Sequence, residues 1–281
     1  MSTRYIFARD EQFVPPEPDP TTVILDESRN ARLARMVGEE GLEKLTQACV
    51  MVLGLGGVGS NCVEALARGG VGSFIVVDHD CVQASNINRQ AIAFTSTIGK
   101  PKIEAMAEMI LDINPDAKIE AYQYFLNKDT IVEFVSDKLD CVDYIVDAID
   151  TVSAKLTLAA YIDSFADEPS STAPHLISCM GAANKLYPEC FSFADLYDTV
   201  NCPLCRIMRK EGRRRGIRHL EVLYSSETPV KAQGVHGATR QQRSNLGTMS
   251  YVPPIMGQML AGYVIRDILG IPRNSDEQSH F

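Results

Sequence analysis

Along the first two-thirds of the chain, short apolar runs alternate with amphipathic stretches. Runs at residues 49–55, 73–78, 118–122, 144–148 and 175–180 are rich in Val, Ile and Leu, and they predict strands. Between them, residues 60–69, 100–113, 130–137 and 154–165 carry apolar positions at helical spacing and predict helices. Gly69-Gly70 closes the first of these helices, and Pro101 stands in the first turn of the second, where a missing N–H does no harm. Strands that are apolar on both sides and separated by helices belong to a parallel sheet covered on both faces. The pattern therefore predicts an α/β protein with a Rossmann-like, doubly wound sheet.

After Gly181 the alternation breaks. Residues 189–193 and 219–224 read as strands, 203–215 as a basic helix, 231–249 as a polar, mobile loop, and 254–269 as a closing apolar helix. This predicts a mixed or antiparallel extension of the sheet. The expected organisation is a flexible lead-in over 1–28, a single nucleotide-binding domain over 29–270 and a tail over 271–281. The domain would carry its basic insertion and mobile loop at about 200–250.

Composition narrows the class. At 281 residues, 45% hydrophobic and 22% charged, the chain is an ordinary globular protein with ample core. Its opening residues are polar and charged, which predicts no export signal. The most apolar late stretch, 251–271, is interrupted by three glycines, two prolines, Arg266 and Asp267, so it reads as a core helix and predicts no membrane partner. Eight scattered cysteines are the pattern of a reduced, cytoplasmic protein. The net charge of −9 argues against general nucleic-acid binding, but it hides a local reversal. Arg206, Arg209, Lys210, Arg213, Arg214, Arg215 and Arg218 stand against a single Glu211. Such a cluster predicts either a local anionic partner or a solvated helix face.

The chemistry begins at Gly54-Leu55-Gly56-Gly57-Val58-Gly59-Ser60, directly after the first strand. A glycine-rich turn opening a helix holds phosphates, because the backbone approaches the anion closely and the free N–H groups complement its charge. NAD, FAD and ATP all fit such a turn. Asp78, at the end of the second strand, and Asp80 stand where a ribose hydroxyl is held in either case. Three further residues discriminate: Arg89 within Asn86-Ile-Asn88-Arg89-Gln90, Lys102 after Gly99, and Asp150 after the fourth strand. Hydride transfer needs no such cations, whereas nucleotidyl transfer must neutralise a triphosphate as pyrophosphate leaves. Taken singly, Arg89 and Lys102 read equally as surface cations and Asp150 as a helix N-cap. As an ordered set they point to ATP, with Asp150 placed to hold Mg²⁺.

The combined motifs, with the upstream arginines Arg29, Arg32 and Arg35, resemble the adenylating enzymes related to ubiquitin-activating enzymes, MoeB and ThiF, over roughly residues 29–269. Asp147-Ala-Ile-Asp150-Thr-Val-Ser-Ala-Lys155, Ala194-Asp195-Leu196 and Tyr224-Ser-Ser-Glu227 are similar to the family's tRNA threonylcarbamoyladenosine dehydratase branch. The resemblance implies that Gly54, Gly56, Gly57 and Gly59 cradle ATP phosphates and that Asp78, with Asp80, binds the ribose. Asn86 would help to position the phosphates, and Arg89 and Lys102 would neutralise them. Asp150 would coordinate Mg²⁺, and Arg32 would reach the γ-phosphate across a homodimer. The implied reaction adenylates the threonyl carboxylate of a modified adenosine near a tRNA anticodon and then cyclises it. The basic segment would grip the tRNA, and a sulfur-transfer accessory protein is a further implied partner.

One departure is informative. MoeB- and ThiF-like relatives carry two Cys-x-x-Cys pairs around zinc, whereas Cys202-Pro-Leu-Cys205 stands alone here and no cysteine follows it. Neither His219 nor His236 has zinc-finger spacing from it, so a redox or incidental pair is the reading. The alternative function is a MoeB/ThiF-like adenylyltransferase that activates the C-terminus of a ubiquitin-like sulfur carrier.

Overall fold

The computed structural model describes residues 28–166, 173–230 and 246–272. The flexible lead-in and most of the mobile loop and tail expected from the sequence lie outside these residues. The described elements are α1 (Ala31–Gln47), β1 (Cys49–Leu53), α2 (Gly59–Arg68), β2 (Ser73–Val77), α3 (Lys102–Ile113), β3 (Lys118–Tyr122) and α4 (Ile131–Ser136). They continue with β4 (Tyr144–Asp147), α5 (Val152–Asp163), β5 (His175–Cys179), β6 (Phe191–Asp195), α6 (Pro203–Arg214), β7 (Glu221–Ser225) and α7 (Val252–Ile268).

All seven strands form one sheet in the order β3-β2-β1-β4-β5-β7-β6. Every neighbouring pair is parallel except β6 with β7, which is antiparallel. This is the doubly wound arrangement with a mixed C-terminal edge that the sequence predicts.

The apolar runs follow from burial on both faces. Val50, Val52, Phe74, Val76 and Val146 point into one core, shared with α2, α3 and α7. Met51, Leu53, Ile75, Val77 and Ile145 point into the other, beneath α4 and α5. Side chains alternate sides along a strand, so a strand covered twice has no polar positions to show. The edge strand β3 is different: Lys118 and Glu120 are exposed. Beyond β5 a third cluster packs Leu156 and Ala159 of α5 against Cys205 and Met208 of α6.

α2 and α7 approach closely because Gly257 has no side chain: a Cβ there would stand 2.5 Å from the Val58 carbonyl. α1 was not expected, and several element bounds shift. Pro101 is the N-cap of α3 rather than a residue of its first turn. β6 starts two residues later than expected, because residues 188–190 form a short 3₁₀ turn. Among the described residues, no helix is long and apolar enough to cross a membrane.

Candidate nucleotide site

The strand order reverses between β1 and β4, since β2 and β3 lie to one side and β5, β7 and β6 to the other. The crevice at the carboxyl ends of such strands is where α/β sheets bind ligands. Here a cleft opens that is bounded by Gly54, Gly56, Asp78, Asp80, Lys102 and Asp150. Tyr124, Phe125 and Leu126, which follow β3, add an apolar part to its lining. Phe125 meets the His79 ring edge-on at 4.7 Å.

The glycines of the turn serve different needs. Gly54 has φ +92°, and a Cβ on it would lie 2.7 Å from the Ala148 carbonyl, so the turn sits hard against the chain leaving β4. A Cβ on Gly59 would collide with the Gly54 carbonyl at 1.8 Å. Gly56 is open: nothing lies within 4 Å of the position a Cβ would take, which leaves its backbone accessible from the cleft. At the start of α2, Ser60 N and Cys62 N already donate to Gly56 O at 3.0 Å and Val58 O at 2.9 Å, which leaves anion binding to the amides of the turn before them.

Asp78 is buried, and both its carboxylate oxygens already accept backbone hydrogen bonds, from Leu55 N at 2.7 Å and Asp80 N at 2.8 Å. It therefore shapes the turn while also lining the cleft. Lys102 is buried as well, its ammonium 2.8 Å from Asp80 and 3.6 Å from Asp78. Partial burial pushes the Asp80 carboxyl up, but the hydrogen bond and charge of Lys102, with help from His79, outweigh it and hold the pKa below the usual value. Asp78, His79 and Asp80 are close enough together to suggest a metal cluster, but the Lys102 ammonium already occupies the place of the cation.

Arg89 stands beside the turn: a Cβ on Gly57 would lie 3.2 Å from its Cγ. The arginine loop is fastened by two residues that sequence reasoning passed over. Asn61 donates both to Gly57 O at 2.7 Å and to Arg89 O at 3.0 Å, and Ser60 Oγ accepts from Ala91 N at 3.1 Å. Their signal in the sequence was polar residues at the buried start of α2. The Arg89 guanidinium rests on Ser85 O and Asn88 Oδ1. Asn86 is turned inward, its Oδ1 accepting from Gln83 N at 3.0 Å, so its side-chain oxygen caps a turn.

Asp150 is exposed on the cleft wall, with one long contact from Thr151 Oγ1 at 3.4 Å. It is not the helix cap that the sequence left open: Thr151 precedes α5. Below it, Asp147 is withdrawn into the protein. The buried Lys155 ammonium bonds Asp147 Oδ2 at 3.0 Å, Ser178 Oγ at 3.2 Å and Cys179 O at 2.8 Å. Asp147 also accepts from Ser178 Oγ at 2.6 Å and Ile149 N at 3.1 Å, which sets the path of the chain toward Asp150.

With this geometry in hand, relatives identify the lineage. The ThiF family's sequence profile matches residues 27–280. The chain belongs to the ThiF family. A tRNA threonylcarbamoyladenosine dehydratase of Bacillus subtilis is 38% identical over 242 residues, which are 83% of this chain and 91% of that protein. A crystal structure of the E. coli tRNA N6-threonylcarbamoyladenosine dehydratase TcdA in complex with ATP matches with a TM-score of 0.74 at 27% identity, covering 88% of this chain and 98% of that one. A sulfur carrier protein adenylyltransferase of Thermus thermophilus is 34% identical, but over 45% of this chain and 45% of its own length.

Two other groups of residues lie away from the cleft in this ThiF-family chain. Arg32 is exposed on α1 and is not among the residues bounding the cleft. The basic segment is divided by its partners. Arg209 is pinned to Thr199, Arg214 to Glu211, Arg215 to Thr157 and Arg218 to Asp163, while Arg213 lies 5.0 Å from the centre of the Tyr197 ring. Arg206 and Lys210 are exposed, with no ion pair to any described residue. Cys202 caps α6, and both thiols of its pair are buried. A hydrogen bond from Cys205 favours the Cys202 thiolate and outweighs burial; backbone N–H groups and the charge of Lys185 add to it. Among the described residues, no His, Asp or Glu completes a metal-binding group with these two thiols, and His236 lies outside them.

Proposed function

We propose that the chain is an ATP-dependent tRNA threonylcarbamoyladenosine dehydratase. The reading is carried by the meeting of Lys102 and Asp150 with the glycine turn in one cleft, in a chain similar over most of its length to such a dehydratase. The N–H groups around Gly56, Gly57 and Gly59 would cradle the phosphates, Asp78 and Asp80 would take the ribose, and Lys102 and Arg89 would face the phosphate charge. Asn86 would help by holding the turn that carries Arg89.

The substrate carboxylate attacks the α-phosphorus, and the bond to pyrophosphate breaks, leaving an acyl-adenylate. The neighbouring carbamoyl group then attacks the activated carbonyl, AMP leaves, and the nucleoside has lost one water. A carboxylate is already ionised at neutral pH, and the closure is intramolecular, so positioning and charge stabilisation suffice without an enzyme nucleophile. Asp150 fits Mg²⁺, because an exposed carboxylate with one weak contact suits a cation that binds through one or two carboxylates and substrate phosphates. When bound there, Mg²⁺ would supply further charge against the leaving pyrophosphate. Because Asp150 is exposed, Asp150→Ala should lower turnover at least ~100-fold while changing stability by no more than about 0.5 kcal/mol; AMP release and a thermal melt check both.

Arg32, exposed near the start of α1, would serve the cleft of a second copy, which makes a homodimer the working unit. Modified tRNA would approach with its anticodon region, in the cytoplasm and away from any membrane. A sulfur-transfer accessory protein enters none of these steps. Arg206 and Lys210 are the cations free to meet RNA phosphates. Arg206→Glu with Lys210→Glu should weaken tRNA binding and flatten its salt slope by about 1–2, whereas reversing the internally engaged Arg213, Arg214 and Arg215 should change it less per residue. Filter binding across a salt series measures both.

Pyrophosphate exchange separates this reading from the sulfur-carrier alternative. Exchange stimulated by threonylcarbamoyl-modified tRNA is the expected result. Stimulation by a ubiquitin-like carrier and not by the tRNA would transfer the proposal to the alternative.

A further inference from the structure

We propose that Tyr187 and Tyr251 form a stacking platform for a base of the substrate RNA at the rim of the nucleotide cleft. This rests on the dehydratase reading and specifies how its substrate is held.

The loop at residues 184–187 is fixed with unusual care for a surface loop. Asn184 adopts a left-handed conformation, with φ +57°. The Glu227 carboxylate, nearly buried, accepts from Leu186 N through both oxygens at 3.1 Å and from Tyr187 N at 3.2 Å. The buried Lys185 ammonium donates to the Glu227 carbonyl. Asn184 and Gly247 exchange two hydrogen bonds of 2.8 Å, from Asn184 N to Gly247 O and from Gly247 N to Asn184 Oδ1. The Tyr251 hydroxyl donates to Leu186 O at 2.9 Å. Two charged side chains are thus committed to holding a loop whose own Leu186 and Tyr187 face solvent. Tyr187 is 53% exposed and Tyr251 38%. Strain and buried charge concentrated beneath exposed aromatic residues are the marks of a prepared binding surface.

Position selects the ligand. Thr248 O accepts from Asn88 Nδ2 at 3.1 Å, next to Arg89, and Pro253 Cβ stands 2.8 Å from where a Cβ on Gly57 would be. Tyr251 lies between these two contacts in the chain, so the platform adjoins the phosphate end of the cleft. On its other side, Lys185 acts on Cys202, the N-cap of α6, the helix that carries the free cations Arg206 and Lys210. An RNA strand held at both α6 and Arg89 would meet this loop. RNA bases that are splayed from a loop are recognised by stacking on rigid aromatic side chains, which suit any base face.

The test compares Tyr187→Ala, Tyr187→Phe and Tyr187→Trp in the full chain, reading the Kd for threonylcarbamoyl-modified tRNA, the Kd for ATP and the melting temperature. Stacking on an aromatic residue is worth about 1–3 kcal/mol per base, so Tyr187→Ala should weaken tRNA binding roughly 5- to 150-fold and leave ATP binding unchanged. Phe and Trp should restore tRNA binding, and Tyr251→Ala should weaken it in the same way. Wild-type tRNA affinity in Tyr187→Ala would overturn the platform. So would a loss that Phe and Trp do not rescue, or a Tyr187 dependence found for a carrier protein and not for tRNA. Failure of the underlying reading looks different, because the unmodified protein would then leave the tRNA unconverted.

Discussion

Lys102→Ala is expected to lose turnover by at least ~100- to 1,000-fold and to lower stability in the same variant. The first effect follows from charge. The Lys102 ammonium is the cation set between Asp78 and Asp80, and without it a triphosphate would enter a cleft lined by three carboxylates, Asp78, Asp80 and Asp150, with no buried counter-charge. The second effect follows from burial. Asp78 is buried beside that ammonium, and removing the partner of a buried acceptor costs about 1–3 kcal/mol. Asp80 is half-exposed, and Asp78 keeps two backbone N–H donors, which limits the loss. Lys102→Arg should keep more stability than activity, because it preserves the charge but not the compact ammonium in that space. Steady-state AMP release and thermal melts measure the two effects separately; turnover near the wild-type level in Lys102→Ala would remove this residue from the site.

The largest stability effect is expected at a residue that touches no ligand. Lys155 is fully buried, and its ammonium bonds Asp147 Oδ2, Ser178 Oγ and Cys179 O. Lys155→Met would leave an unpaired carboxylate in the core, which costs about 3–5 kcal/mol. For a chain of this size that lowers the melting temperature by roughly 10 °C. Replacing both partners, as in Lys155→Met with Asp147→Leu, should recover part of the loss by removing the buried charge. Recovery stays partial because Ser178 Oγ and Ile149 N lose the acceptor they share. Activity should fall in the single variant beyond what stability explains, since Asp147 directs the chain toward Asp150. A melting temperature unchanged by Lys155→Met would contradict the role of this ion pair.

The sheet was legible because β1, β2 and β4 are buried on both faces and so read as unbroken apolar runs. α1 was not. Its buried positions are only Ala31, Gly41 and Leu45, and Gly38 leaves helical geometry at φ 70°, ψ 174°, so little periodicity survives. Around the candidate site, the glycine turn, Asp78 and Asp150 could be placed from the sequence because they follow strand ends, and Lys102 because it opens α3. The Asn61 clamp, the Lys155 network and the Glu227-held loop were not, because each joins residues that only the tertiary fold brings together: Asn61 with Arg89, Lys155 with Ser178, Leu186 with Glu227. The basic cluster shows the same limit. Summing charge along 206–218 treats seven cations alike, whereas Thr199, just outside the segment, and Thr157 and Asp163, far away in the chain, engage three of them.

The central claim is that the ATP cleft drives loss of water from a tRNA nucleoside. It is tested most directly by mass spectrometry of nucleosides from threonylcarbamoyl-modified tRNA incubated with the protein, ATP and Mg²⁺. The expected result is a modified adenosine lighter by one water, formed in step with AMP and pyrophosphate and absent with Asp150→Ala. An unchanged nucleoside mass in the presence of active ATP cleavage would contradict the account.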